Sequence, residues 1–231
     1  MRHKIFVLII FFGLLSTMAI SAKITFSQLK PVYNLGDNIS IITNIQAEKD
    51  YFGFAEVNMK CNEEKNVHKE YLNLKKGDEK KIESSIFFTD LFQSMTGICT
   101  IKANFLESVE SANFTISDKI KINLNTKNIS TEAGSKITID GNAEKENGDA
   151  IEGYAEIVIK NTDLKFTQKV KNSFFYFDFA FPENAISGDY AAEIKVYDEL
   201  TGKKANQGYE KININIKQIS IHTFLYVALD Q

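Results

Sequence analysis

The chain has 231 residues, 44% of them hydrophobic and 25% charged, with two cysteines, no tryptophan and a formal charge of −3. That length builds one large or two small domains, each able to bury its own core. With no basic excess and no arginine beyond Arg2, the composition argues against a nucleic-acid or polyanion binder.

Arg2, His3 and Lys4 precede an uncharged apolar run, Ile5 to Leu15, and a small, polar stretch, Ser16 to Ala22. This layout is that of a secretory signal peptide over residues 1–22. Ala19-Ile20-Ser21 and Ile20-Ser21-Ala22 both suit a signal peptidase. The alternative is an uncleaved N-terminal anchor, although the run is short of the about 20 residues that a bilayer span needs. Either way the remainder is expected outside the cytoplasmic membrane, secreted or at the cell surface.

From Lys23 the dominant period is two. Ile39–Thr43, Phe54–Met59, Ile98–Ala103, Ile137–Ile139, Tyr154–Ile159 and Ile212–Ile216 are short, β-branched or aromatic runs separated by Gly, Asn and Asp, the pattern of an antiparallel sandwich or barrel. No stretch after the signal carries a helical period. Phe174 to Phe181 is the clearest strand: Phe175, Phe177, Phe179 and Phe181 share one face, predicted as core, and Phe174, Tyr176 and Asp178 share the other. The acidic pairs Glu63-Glu64 and Asp78-Glu79, interleaved with Lys, read as solvated loops.

Blocks recur in order. Gly53-Phe54-Ala55-Glu56-Val57 returns as Gly153-Tyr154-Ala155-Glu156-Ile157, Leu35–Ile41 returns loosely as Ala133–Ile139, and Ser94–Lys102 resembles Ala185–Glu193. The reading is therefore two tandem domains, 23–125 and 126–217, joined by a short polar junction at Lys127–Gly134. Residues 218–231 carry one more strand-like run, Thr223–Leu229. It is the start of a further domain, a closing strand of the second, or a strand donated to a neighbour.

Tyr33-Asn34-Leu35-Gly36-Asp37-Asn38-Ile39-Ser40-Ile41, Asn147-Gly148-Asp149-Ala150-Ile151-Glu152-Gly153-Tyr154-Ala155-Glu156-Ile157, and Phe177–Pro182 followed by Ser187-Gly188-Asp189-Tyr190 together resemble immunoglobulin-like and macroglobulin-type β-sandwich modules of prokaryotic, including archaeal, exported surface proteins. Ala150 departs from the proline usual in the second motif, and no Cys-Gly-Glu-Gln thioester motif is present. The resemblance implies an all-β chain of two tandem immunoglobulin-like antiparallel β-sandwiches after an N-terminal signal peptide, with stalk, adhesion or spacer roles. Asn147-Gly148 is expected to make a hairpin turn with both residues at positive φ. Tyr190 resembles the tyrosine-corner position, whose hydroxyl ties a loop to the core.

If the strands ending at Cys61 and starting at Cys99 pair as the C and F strands of such a sandwich do, the two sulfurs meet. The expectation is a Cys61–Cys99 disulfide, with two buried free thiols as the alternative. Asn38, Asn113 and Asn128 each open an N-glycosylation sequon. Asp140, Asn142, Glu144, Asn147 and Asp149 crowd one stretch, but Lys145 stands where a calcium loop needs glycine, so a solvated turn is preferred. No catalytic residue, cofactor or metal ligand is assigned.

The expected function is a non-enzymatic, exported structural or adhesion module. Its partners would be other surface proteins or envelope components, with no nucleic acid, and with membrane only through an uncleaved signal or a C-terminal anchor. The alternative is an extracellular glycan- or cell-wall-binding module, with exposed rings such as Tyr176 lining a sheet face.

Overall fold

The computed structural model describes residues 22–87 and 95–217. The signal-peptide reading, apart from Ala22, and the strand expected in 218–231 lie outside the described residues. All regular structure described is β. In chain order the strands are β1 (Ala22–Phe26), β2 (Val32–Asn34), β3 (Asn38–Ala47), β4 (Tyr51–Lys60), β5 (Glu64–Leu74) and β6 (Glu79–Phe87). There follow β7 (Gly97–Asn104), β8 (Ser108–Glu110), β9 (Phe114–Ser117), β10 (Ile120–Leu124), β11 (Asn128–Glu132) and β12 (Lys136–Lys145). The last five are β13 (Gly153–Ile159), β14 (Lys165–Val170), β15 (Phe174–Ala180), β16 (Gly188–Leu200) and β17 (Lys203–Lys217).

The chain divides into two compact units. The first holds described residues 22–29, 39–86 and 99–113; the second holds 30–38, 87, 95–98 and 114–217. The sequence repeat places its division at 125/126. Strand β10, on the N-terminal side of that point, pairs antiparallel with β12 in the second unit, and β2 pairs in parallel with β9 there.

In the first unit β1, β3 and β6 form one sheet, while β5, β4 and β7 follow one another in a second, with β8 paired to β7. Ile24, Ile39, Ile41, Ile45, Ile82 and Ile86 from the first sheet are buried, as are Ala55, Val57, Met59, Leu72, Ile101 and Ala103 from the second. Alternation puts these side chains on one face of each strand and the polar ones on the other. Of the acidic pairs read as loops, Glu63 and Asp78 do lie in the turns between strands, whereas Glu64 and Glu79 open β5 and β6; the Asp78 carboxylate accepts from Lys75 N (2.8 Å). A strand edge tolerates such charges because its outer side faces water.

In the second unit a three-stranded sheet, β10-β12-β15, faces a five-stranded one, β11-β17-β16-β13-β14. Ile137, Ile139, Phe175, Phe177 and Phe179 meet Ala155, Ile157, Ile159, Ile194, Val196, Ile212, Ile214 and Ile216 in one continuous core. Each buried phenylalanine contributes about 1.5–3 kcal/mol of transfer free energy. The predicted split of Phe174–Phe181 holds: Phe177 is fully buried, whereas Tyr176 is 55% exposed. The polar junction Lys127–Gly134 is largely a strand, since β11 pairs in parallel with β17 from Asn128↔Asn213 to Glu132↔Lys217.

Both units are therefore all-β and immunoglobulin-like in architecture, two packed sheets apiece.

Candidate functional site

The cysteines come together as expected. β4 and β7 pair antiparallel with Lys60 opposite Thr100, so the residues just beyond, Cys61 and Cys99, lie side by side and form a disulfide with Cα atoms 4.2 Å apart. It closes a loop of sequence separation 38 around the buried Cys99. In the second unit the corresponding places hold Asn161, at φ 62°, and Tyr190. The Tyr190 hydroxyl donates to Ile186 O (2.8 Å) and its ring meets Phe181 at 5.1 Å, as the tyrosine-corner reading required.

The sequon residues Asn38, Asn113 and Asn128 are all exposed, at or beside the starts of β3, β9 and β11. The residues weighed for calcium do not converge. Asp140, Asn142 and Glu144 lie along one face of β12, while Asn147 and Asp149 belong to the turn that follows. No group of three or more metal-ligating side chains occurs among the described residues. The Asn147-Gly148 turn also differs from expectation, because only Gly148 takes positive φ (87°). Lys145 N donates to Asp149 O and Gly148 N to Lys145 O, so the loop has three residues and needs a single left-handed position, which glycine fills.

That turn belongs to a buried polar cluster in the second unit that the sequence did not reveal. Asn34 and Asn206 are both fully buried. Asn34 Nδ2 donates to Ser117 O, Lys119 O and Asn206 Oδ1, and Asn34 Oδ1 accepts from Asn147 N at 3.0 Å. Asn206 Nδ2 donates to Leu35 O and to both Asp198 oxygens, and Asp198 is paired with Lys145 Nζ at 3.2 Å. Asp37 accepts from Asn34 N and Asn147 Nδ2. Every donor here has an acceptor, which is what makes burying two amides and an ion pair tolerable. The cluster fixes segment 30–38 in place, with Gly36 at φ 94° in the turn closed by the hydrogen bond from Asp37 N to Asn34 O.

A second polar group lines the outer face of β13 and β16. The Tyr197 hydroxyl donates to Glu156 Oε1 (2.9 Å), and Lys204 Nζ sits 3.7 Å above the Tyr197 ring. Burial first, and then the Glu156 carboxylate, push the Tyr197 hydroxyl up to about 12. Burial raises the Glu156 carboxyl too, but the Tyr197 hydroxyl and the Lys204 and Lys165 ammonium groups outweigh it and hold it below the usual carboxylate range.

Exposed aromatic side chains gather on one strand pair and one strand among the described residues. On the β4–β5 ribbon Phe52, Phe54 and Tyr71 are exposed and pack edge to face, at 84° and 76°, with Lys69 Nζ 4.7 Å over Phe54. On β15 Phe174 and Tyr176 lie near-parallel, 29° between planes and 6.3 Å between centroids. The register sets Phe174 opposite Asn142 and Tyr176 opposite Asp140.

No protein-family model matches the sequence, and no curated protein sequence matches it. Solved structures similar to the chain include the fibronectin(III)-like modules of Clostridium thermocellum CbhA, at 12% identity over 85% of this chain and 95% of that one, TM-score 0.33. Red sea bream transglutaminase is similar at 9% identity over 85% of this chain and 32% of that one, TM-score 0.38. A β-glucosidase from Listeria innocua is similar at 12% identity over 42% of this chain, TM-score 0.34. The chain spans only 16% of that β-glucosidase. Likeness at this level says nothing of activity.

Proposed function

We propose that the chain is a non-enzymatic module of the cell surface, exported and built of immunoglobulin-like sandwiches, with a structural or adhesive role. The observation that carries this reading is the Cys61–Cys99 disulfide: such bonds persist in oxidising compartments and are rare in reducing cytosol. The signal-like residues 1–22 support it. Ala22 is buried and pairs with Ala47 in β1, which favours cleavage after Ser21 over cleavage after Ala22. The finer assignment, to macroglobulin-type or related prokaryotic surface modules, rests on the Tyr33–Ile41 and Asn147–Ile157 motifs. Partners in this reading are other surface proteins or envelope components. Protease treatment of intact source cells tests it: digestion of the chain without lysis is expected, and complete protection until lysis contradicts it.

A second reading, an extracellular glycan- or cell-wall-binding module, is favoured by the two exposed rings on β15.

A further inference from the structure

We infer that the outward face of the β10-β12-β15 sheet binds a neutral polysaccharide chain across Phe174 and Tyr176; this rests on the second reading and gives it a site and a ligand class. The two rings project from alternate positions of one strand whose other face is anchored by buried Phe175 and Phe177. The turn before them places Asn172 and Ser173 at φ 46° and 68° and is closed by reciprocal hydrogen bonds between Lys171 and Phe174, so the first ring is held at a fixed point. A platform set in advance by its scaffold binds without an ordering cost.

The chemistry around the rings selects the ligand. The two exposed rings, 6.3 Å apart between centroids, give an apolar surface for the C–H side of a sugar beside polar neighbours on the same sheet. Asn142 and Asp140 stand across from the rings, Asn123 stands across from Asn142, and Asn125 Nδ2 donates to Asp140 Oδ2 at 2.6 Å. Amides and a carboxylate supply both donors and acceptors for hydroxyl pairs. Lys136 is paired with Asp178 at 2.6 Å and Lys121 with Glu144 at 3.8 Å, so both lysines of the face have a carboxylate beside them and an acidic polymer meets no unopposed positive charge there. An apolar partner would bury Asn142, Asn123 and Asp140 without replacing their water.

The test is calorimetric titration of the oxidised full chain with cellohexaose, xylohexaose, mannohexaose and chitohexaose. At least one binds. Tyr176→Ala or Phe174→Ala weakens it by about three- to tenfold, and the double substitution abolishes it. Tyr176→Phe, which keeps the ring, retains binding and separates loss of stacking from loss of fold. Phe54→Ala leaves binding unchanged. Binding that survives the double substitution overturns this site while leaving glycan recognition standing. Absence of binding to all four overturns both.

Discussion

The two units solve one problem in different ways. The second fills its interior with phenylalanines from β15 and isoleucines from five other strands, and adds a buried polar cluster. The first uses smaller side chains, carries two buried hydroxyls, Thr43 Oγ1 and Ser84 Oγ, without a partner among the described residues, and closes a covalent loop at Cys61–Cys99. In the unit that buries two hydroxyls without a partner among the described residues, a cross-link that restricts the unfolded chain adds stability. Small domains commonly strike that balance.

Substitutions confined to one unit sharpen this contrast. Phe177→Ala removes a fully buried ring and is expected to cost about 3–5 kcal/mol in the second unit, with little effect on the first. Differential scanning calorimetry reads it as one of two transitions moving; a uniform shift of both breaks the comparison. Replacing Cys61 and Cys99 by alanine is expected to cost about 4 kcal/mol, in the first unit alone. Loss confined to the second unit's transition would refute that assignment.

Asn206→Ala removes the one side-chain amide nitrogen that donates to both Asp198 oxygens and to Leu35 O, and is expected to cost about 2–3 kcal/mol, measured by urea denaturation. An unchanged midpoint would mean that water replaces the amide. The Tyr197 hydroxyl titrates higher when folded than its ordinary 10, so its contribution is complete below pH 10 and declines as pH rises towards 12. Tyr197→Phe is expected to flatten that alkaline loss, and an identical alkaline profile would remove Tyr197 from it. The smallest effect is a gain: Thr43→Val is expected to stabilise the first unit by about 1 kcal/mol, because its hydroxyl is buried unsatisfied. Destabilisation would reveal a partner for that hydroxyl.

What was legible in the sequence follows the range of the physics. Alternation is local, so the Ile137–Ile139 and Phe174–Phe181 strands and the inward set of phenylalanines could be read directly. The disulfide followed because antiparallel pairing of two recognisable strands brings the end of one to the start of the other. Strands rich in charge, such as β5, and short polar ones, such as β11, were hidden because pairing with a neighbour, not hydrophobic period, holds them extended. The buried cluster was illegible because Asn34 and Asn206 are 172 residues apart in a chain full of asparagines. The β15 rings were visible as an outward set, but their cross-strand companions Asn142 and Asp140 required the register.

The intact mass of the native protein from its source, taken with and without reductant, tests the account most directly. A chain starting at Ala22 that gains two hydrogens on reduction is predicted, with added sugar mass marking any sequon in use. A chain retaining residues 1–21, with both thiols free in the native form, would contradict both export by cleavage and the covalent closure on which the contrast between the two units rests.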